Sequence, residues 1–478
     1  MVFSSNIFLY TFLPLVMALY FLIPNKTSAL KYKNALLLVA SLFFYAWGEA
    51  QYLILLLISM VANYFFGIKI EKSQDKPCRF PVMFAAIAFN LLLLGYFKYA
   101  NFIVANLNQL ISNFSTYTIE LNKVHLPIGI SFFTFHAISY LVDIYRRKCH
   151  AQKSFFALAL YISFFPQLVA GPIVRYNFIE KYLNERRQNL FFISYGIRRF
   201  LIGLGKKIII ANPLGELADA VFNSPINEIN SPIAWLGITC YTLQIYFDFS
   251  GYSDMAVGLA RIFGFKFPEN FNYPYISRSI KEFWRRWHMS LSAWFRDYVY
   301  IPLGGNRCSI HRQYFNLVLV FFLCGLWHGA SWNFIIWGMF HGFFLVFERV
   351  KVGENFINSL PKFVQHFYAI FVIMIGWVFF RSPDLAYSTG FLKTMFVGND
   401  ITVISKDISR LVRSHFVRMS FGLALIGFSP LVRNLSLKLM RKNKIVIILA
   451  DLFLVAALLL AMVRISAATH NPFIYFQF

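Results

Sequence analysis

Acidic residues are scarce in this sequence, and basic residues are not. Its 478 residues include 21 Asp and Glu against 45 Lys and Arg, which gives a formal net charge of +24. In a soluble chain this excess would suggest nucleic-acid binding. Charged residues are nevertheless only 14% of the total, whereas 58% are hydrophobic and 19% are aromatic. The basic residues gather between apolar runs, where they orient membrane helices and meet anionic lipid, so the composition indicates an integral membrane protein.

The sequence also lacks the common markers of metal, disulfide and nucleotide sites. Its five cysteines are scattered without a CxxC pair, and no HExxH, HxxxH or HxxE pattern occurs. We therefore expect neither a disulfide framework nor a dedicated metal site. The absence of GxSxG, GxxxxGKS/T and strand-linked GxGxxG motifs argues against an α/β-hydrolase, a P-loop enzyme and a dinucleotide-binding fold. No repeat or soluble domain interrupts the apolar pattern, so we expect one membrane domain over residues 1–478.

Long apolar runs dominate what remains. A bilayer is crossed by about 17 to 25 mainly apolar residues. Runs of that length lie near 6–24, 52–68, 80–97, 125–145, 233–250, 313–348 (a pair broken at Gly329), 363–380 and 445–464, and shorter or interrupted runs lie near 34–48, 155–173, 199–222, 254–264 and 419–432. The pattern predicts an all-α polytopic membrane protein with about 11–13 membrane elements, some of them re-entrant.

The positive charges predict the orientation of these helices. No Lys or Arg precedes the first apolar run and Lys26 follows it, so we expect a retained first helix with its N-terminus outside. The basic stretches 69–79, 146–153, 175–207, 278–312 and 433–444 then share the cytoplasmic face, and the loops 99–120 and 223–232, without Lys or Arg, lie outside. The basic segment 381–418 contradicts this scheme, which leaves the topology after residue 360 open.

The stretch 278–312 mixes arginines with tryptophans and tyrosines, including Arg285, Arg286 and Trp287. One interpretation is an interfacial helix, with its rings at headgroup depth and its arginines reaching lipid phosphate. The pattern taken alone favours this interpretation. The other is a clamp for an anionic substrate, since a guanidinium group binds phosphate through two hydrogen bonds and stacks on flat rings. A nucleotide-bearing acyl donor would suit such a clamp.

Two aspartates, Asp248 and Asp254, follow an apolar run in the segment 246–254. Six residues apart on a helix, they would point in different directions, so a shared-proton pair requires a helix break at Gly251. The structural interpretation pairs each with an arginine, Arg261 or one from 278–296. We favour that interpretation for Asp254 and leave the role of Asp248 open.

Two histidines, His288 and His328, each follow a tryptophan directly. A buried histidine between helices is one interpretation of each, and a proton-transfer group in a dry tunnel is the other. Neighbouring arginines would keep His288 neutral and able to accept a proton. His341 lies thirteen residues beyond His328, which is not a metal-pair spacing. The predicted topology places His288 in a cytoplasm-facing segment and His328 near the outer end of the next span.

Seven ordered blocks resemble the membrane-bound O-acyltransferase (MBOAT) family. Within it they are most similar to the bacterial AlgI/DltB branch, and especially to AlgI-like alginate O-acetyltransferases. The blocks are 127–135, 164–175, 246–254, 267–272, 283–292, 300–307 and 323–332. The resemblance implies a disc of many helices in the bacterial inner membrane, with funnels from both faces that meet at a thin centre. It also implies that His328 corresponds to the essential histidine of the family and His288 to the second, branch-typical one.

The function implied by the resemblance is transfer of an acyl group, expected to be acetyl, from a cytoplasmic thioester. The donor would be acetyl-CoA or an acyl carrier protein as co-substrate, with no permanently bound cofactor. The acceptor would be a cell-surface polysaccharide or a periplasmic partner transferase. We expect His328 and His288 to be catalytic, and the substrate-binding residues to be Arg285, Arg286, Trp287, Trp327, Asp248 and Asn333.

Three alternatives remain at this point. DltB-like transfer of D-alanine to teichoic acid would need a surface that docks a carrier protein, whereas coenzyme A needs only a basic pocket. A transporter would also contain broken helices and buried polar groups, although the sequence shows no repeated halves. A scaffold for polysaccharide machinery fits the density of His, Arg and Asp least well. The acyl group, the acceptor glycan (alginate, peptidoglycan or teichoic acid) and the oligomeric state stay open.

Overall fold

Five helical stretches are long and apolar enough to cross a membrane in the computed structural model, which describes residues 1–186, 188–398 and 405–467. They are Thr27–Lys72, Arg79–Ile111, Ile310–His328, Lys362–Arg381 and Lys444–Ala467. Three shorter apolar helices, Phe8–Leu22, Ile130–Tyr145 and Trp332–Phe347, and a helix pair bent by 72° accompany them. The described residues contain helices and loops and no β-strand. The prediction of an all-α polytopic membrane protein is confirmed.

One compact unit comprises residues 1–197 and 256–268. Its core includes the buried rings of Phe3, Phe8, Phe44 and Phe165, whose centroids lie 5.0 to 6.4 Å apart. Its helices are α1 (Leu13–Leu22), α2 (Leu30–Glu49), α3 (Leu53–Lys72), α4 (Arg79–Ile111), α5 (Ile130–Tyr145), α6 (Phe155–Ser163), α7 (Phe165–Leu168) and α8 (Tyr176–Asn184), together with the start of α9 (Leu190–Gly205).

The other compact unit comprises residues 198–255 and 269–478. It contains the end of α9, a π-helical turn over Lys206–Ala211, and most of α11. Its helices are α10 (Asn212–Phe222), α11 (Ser231–Ile262), α12 (Ile280–Arg286), α13 (Met289–Phe295), α14 (Ile310–His328), α15 (Trp332–Phe347), α16 (Lys351–Ser359), α17 (Lys362–Arg381), α18 (Leu385–Val397), α19 (Lys406–Arg413), α20 (His415–Gly427), α21 (Leu431–Lys442) and α22 (Lys444–Ala467).

Helix α11 corrects one expectation. The apolar runs 233–250 and 254–264 are predicted as separate elements, but α11 is continuous over Ser231–Ile262. Gly251 serves close packing instead of a break, because a Cβ atom there would lie 2.7 Å from the carbonyl oxygen of Gly203 on α9. Small residues let two helix backbones approach in this way. Asp248 and Asp254 therefore lie on one helix and point in different directions.

Helices α14 and α15 form a tightly packed hairpin. The predicted break at Gly329 is present, since α14 ends at His328 and α15 begins at Trp332. A side chain at Gly325 would overlap the carbonyl oxygen of Phe334, and one at Gly338 would overlap that of Phe321. The two glycines thus set how closely the helices approach, and they fix the position of His328 at the end of α14.

The orientation of the helices stays a prediction. Residues 399–404, within the basic segment that contradicts the predicted topology, lie outside the described residues, as does residue 187 of the basic stretch 175–207. The expectation of one membrane domain over residues 1–478 also stays a prediction.

Candidate active site

His328 ends α14 in a pocket of aromatic rings. Its side chain is buried, with 7% of its surface exposed. The imidazole centroid lies 4.9 Å from that of Trp327, 5.0 Å from that of Trp337 and 5.1 Å from that of Phe380, all with edge-to-face geometry. Aromatic walls exclude water and hold the ring in one orientation. Such a setting suits proton transfer at a polar reacting group.

His288 lies between two short helices, α12 and α13, and is almost fully buried. Its backbone is left-handed, with φ of 41° and ψ of 54°. A residue other than glycine adopts this conformation at a cost on the order of 1 kcal/mol, and such residues cluster at functional sites. The turn separates α12 from α13, and the imidazole that it carries is buried.

Asn270 determines which nitrogen of His288 carries the proton. The Oδ1 atom of Asn270 accepts hydrogen bonds from the backbone N–H of Ser290, at 3.2 Å, and from its hydroxyl, at 2.8 Å. An atom that accepts from a backbone N–H is an oxygen, which fixes the orientation of the amide. Nδ1 of His288 lies 3.2 Å from this oxygen and must donate to it. In the neutral ring Nε2 is then the basic nitrogen.

Burial lowers the pKa of His288 to about 3 and keeps the ring neutral at physiological pH. The neutral form is the one expected from the sequence, but the cause differs. Arg285 is exposed, and Arg286 is neutralised by Glu282, whose Oε1 lies 2.9 Å from the nearest guanidinium nitrogen. Loss of solvation, rather than repulsion by the arginines, therefore favours the neutral ring.

Trp327 joins the two candidate histidines. Its ring centroid lies 4.9 Å from that of His328 and 6.2 Å from that of His288. The His288 ring also contacts Phe249, with ring centroids 4.7 Å apart. Three of the predicted site residues, His288, Trp327 and His328, thus form one continuous set of ring contacts.

His341 belongs to the same set, although its sequence position did not indicate it. It is fully buried, and its ring centroid lies 5.1 Å from that of Trp337, which also contacts His328. A further edge contact joins His341 to Trp284, at 5.0 Å. Trp337 and His341 are four residues apart on α15, so they share a face. That spacing, combined with the helix break at Gly329, is the signal that sequence reasoning missed.

Asp248 and Asp254 take their partners from the chain around α9. Lys207 Nζ lies 2.7 Å from Oδ1 of Asp248, and both side chains are almost completely buried. Asp254 pairs with Lys206 at 2.7 Å and with Arg199 at 2.6 Å. The expected partners, Arg261 and the arginines of 278–296, were wrong. The close approach of α9 and α11 at Gly203 and Gly251 explains the outcome, since it brings these basic residues beside the carboxylates.

The remaining predicted binding residues are held by protein contacts. Arg286 donates to Glu282 and to the carbonyl oxygen of Asn272, at 3.1 Å. Asn333 donates to the carbonyl oxygen of Ser382 at 2.9 Å and accepts from the hydroxyl of Ser388 at 3.2 Å. Trp287 is buried among the rings of Phe271, Phe283 and Trp377, at 5.0 to 5.4 Å. Roles of these residues in substrate binding stay predictions.

Comparison with known proteins shows which families this chain is similar to. A model of the membrane-bound O-acyltransferase family, MBOAT, matches residues 128–422. The chain is 40% identical to a probable alginate O-acetylase, AlgI, from Azotobacter vinelandii over 512 aligned residues, which cover 100% of both chains. It is 37% identical to a peptidoglycan O-acetyltransferase from Helicobacter pylori, with 86% of this chain and 83% of the relative covered. A teichoic acid D-alanyltransferase from Bacillus subtilis is 36% identical over 45% of this chain and 56% of the relative.

Proposed function

The chain belongs to the membrane-bound O-acyltransferase family, and from this premise we propose that it moves an acetyl group from a cytoplasmic thioester across the membrane. The group is delivered to a cell-surface polysaccharide or to a partner transferase on the outer side. The membrane concerned is the bacterial inner membrane. The observation that carries this proposal is the set of ring contacts among His288, Trp327 and His328, which places two imidazoles in a dry aromatic setting.

His328 acts as the general base in this proposal. Its neutral imidazole takes the proton of the acceptor hydroxyl while the hydroxyl oxygen attacks the thioester carbonyl carbon. The tetrahedral intermediate collapses, the carbon–sulfur bond breaks, and the departing sulfur receives the proton from His328. The products are an O-acyl ester and a free thiol, and the imidazole is neutral again.

His288 supports the same reaction from the other side of Trp327. Asn270 holds its proton on Nδ1, so Nε2 can accept a hydrogen bond from a substrate or a protonated group. Because the ring is buried and neutral, it adds a polar contact without adding a charge to the site. Its role is to orient the reacting groups and to exchange a proton with them.

The surroundings of each predicted binding residue suggest its role in this proposal. Arg285 is exposed on α12 and supplies a cation for the donor phosphates, with Arg286 and Trp287 next to it. Asp248 balances the charge of the buried Lys207 and precedes Phe249, whose ring contacts His288. Asn333 connects the start of α15 to Ser382 and Ser388 through hydrogen bonds. It follows His328 closely in sequence, and we assign it a supporting role in substrate binding.

Acetyl transfer is favoured over D-alanyl transfer by the extent of similarity. The alginate and peptidoglycan O-acetylating relatives align over most of this chain, whereas the D-alanyltransferase aligns over less than half. In this proposal the donor for acetyl transfer is acetyl-CoA, whereas D-alanyl transfer would take its acyl group from a carrier protein. Adding acetyl-CoA or a D-alanyl carrier protein to the purified protein separates them, because only the correct donor supports thioester cleavage.

A transporter is the second candidate, since broken helices and buried charges also occur in transporters. The decisive experiment uses the purified protein in liposomes with acetyl-CoA radiolabelled in the acetyl group. Our proposal requires cleavage of the thioester, with release of free thiol and labelling of an acceptor hydroxyl. Movement of label across the membrane without thiol release contradicts it.

A further inference from the structure

Helix α21 (Leu431–Lys442) has an unusual charge distribution for this part of the chain. It carries four basic residues and no acidic one, namely Arg433, Lys438, Arg441 and Lys442. The bend of 72° separates it from α20, and α22 begins at Lys444, directly after Asn443. A short basic helix thus connects a bend to a membrane span.

The side chains of α21 form two stripes. Leu431, Leu435 and Leu439 follow one another at four-residue intervals and are 73%, 59% and 44% exposed. Spacing by four residues places them on one face of the helix. A second stripe of the same helix, formed by Asn434, Leu437, Lys438, Arg441 and Lys442, borders an open groove of about 320 Å³. An exposed apolar stripe therefore lies beside an open groove that carries three cations.

The position of α22 indicates the depth of α21. At about 1.5 Å per residue, the 24 residues of Lys444–Ala467 extend roughly 36 Å, which exceeds a hydrocarbon core of about 30 Å. The start of α22 therefore reaches the headgroup region, and α21 ends beside it. Four cations could not enter the hydrocarbon without a large cost in free energy. The exposed leucines in turn favour contact with lipid, so α21 lies along the membrane interface.

We propose that α21 binds an anionic phospholipid, with the phosphate in the open groove beside Lys438, Arg441 and Lys442 and the acyl chains against the leucine stripe. The charges match, because the residues that border the groove include three cations and no carboxylate. A soluble anion such as a nucleotide would use the cationic stripe alone. A phospholipid uses both stripes, which explains why the exposed leucines lie next to the groove. The bound lipid holds the bend between α20 and α21 at the membrane surface.

The test uses the full chain in a nonionic detergent, titrated with dansyl-labelled phosphatidylglycerol. One variant replaces the cations (Lys438→Gln, Arg441→Gln and Lys442→Gln), and another replaces the apolar stripe (Leu431→Gln, Leu435→Gln and Leu439→Gln). At low salt the first should lose affinity by on the order of a hundred-fold, and binding to the unmodified protein should weaken as salt is added. The second should also bind more weakly.

A matched control removes three charges elsewhere, through Lys69→Gln, Lys72→Gln and Lys76→Gln. These lysines are exposed and alternate with Glu71 and Asp75, so they do not form a stripe without carboxylates. The control should bind phosphatidylglycerol as the unmodified protein does. Equal loss in the control would overturn the proposal, because net charge alone would then explain binding. Unchanged binding in the cation variant would overturn it as well.

Two further measurements are needed. The first tells whether the site binds a lipid or a soluble anion, and the second tells whether a variant loses binding because it misfolds or because its site is changed. Displacement of the labelled lipid by ADP, together with unchanged binding by the leucine variant, would overturn the proposal in favour of a soluble-anion site. If the cation variant does not elute as a single species, the charge-conserving variant Lys438→Arg with Lys442→Arg replaces it. That variant should retain affinity, and its loss would contradict a site that recognises charge.

Discussion

The Nδ1 atom of His288 lies 3.2 Å from the Oδ1 atom of Asn270. The same Oδ1 atom accepts a hydrogen bond from the backbone N–H of Ser290, so it is an oxygen and Nδ1 of His288 must be the donor. Asn270 therefore selects the His288 tautomer and positions the ring. Its side chain is buried. The relationship lets the role of His288 be tested without removing the imidazole.

Replacing Asn270 with Asp should change the pH dependence of acyl transfer. The carboxylate keeps the acceptor oxygen but places a negative charge beside the ring, which raises the pKa of His288. Activity should then fall on the acidic side of neutrality, where the unmodified protein stays active. Asn270→Ala should reduce kcat by about 10- to 100-fold with little change in KM. The exposed Asn272→Ala is the control, and an unchanged pH profile for Asn270→Asp would refute the positioning role.

Replacing His328 with Ala should abolish acyl transfer while the protein still inserts into the membrane. Loss of a general base lowers the rate by about 10²- to 10⁴-fold. The measurement is release of free thiol from the acyl donor, alongside the amount of protein extracted from membranes. His311→Ala, an exposed histidine on the same helix, should be fully active. A fully active His328→Ala variant would contradict the assignment of His328 as the general base.

The folding stability of the protein should decrease at acidic pH because His288 is buried in its neutral form. Burial lowers its pKa to about 3 from an ordinary value near 6.5, so the unfolded chain binds a proton between these pH values and the folded protein does not. The contribution of His288 to folding stability is fully present above pH 6.5 and is lost as the pH falls towards 3, by about 1.4 kcal/mol per pH unit. Thermal unfolding of the protein and of His288→Gln across this range measures the effect. The two slopes should differ, and identical slopes would contradict the prediction.

Removing one member of the buried Lys207–Asp248 pair should be costly. Lys207→Met leaves a carboxylate in a buried position without its cation, which destabilises a protein by about 3 to 5 kcal/mol. Adding Asp248→Asn should recover part of the loss, because no buried charge then remains. The exposed pair of Arg410 and Asp407 is the control, and Arg410→Ala should cost less than about 1 kcal/mol. Thermal unfolding in detergent compares these variants and Asp248→Asn alone with the unmodified protein, and additive losses in the double variant would argue against the pairing.

Gly325→Ala should impair the α14–α15 hairpin. The new methyl group would overlap the carbonyl oxygen of Phe334, so the helices must separate, at a cost of about 1 to 3 kcal/mol. The shift moves His328, and activity should fall with stability. Gly95→Ala is the matched control, since nothing lies within 4 Å of a Cβ atom there. It should be neutral or slightly stabilising in its helix, whereas equal effects at both sites would disprove the packing role of Gly325.

Some of the site was predictable from local pattern. The break at Gly329 follows from the run of small residues after His328, and the helix predicted over 363–380 matches α17 (Lys362–Arg381). His288 and His328 were identified because each lies in a block that resembles the family. None of these inferences needs knowledge of which helices pack together.

Other features required the packed helices. The partners of Asp248 and Asp254 come from around α9, about 40 to 55 residues away in sequence. Gly251 permits a close helix approach, and α11 continues through it although the apolar runs on either side were predicted as separate elements. His341 and Trp337 join the histidine set only because α15 folds back against α14.

The sequence by itself determined the membrane class, the helical content, the family blocks and the two candidate histidines, because composition, run length and motif order are local properties. Only the tertiary structure decided the tautomer of His288, the ion pairs of the aspartates and the ring contacts that join His288, Trp327 and His328. In a membrane protein almost every helix face is apolar, so periodicity does not specify which faces meet. Close packing of small residues and hydrogen bonds between distant segments make that choice.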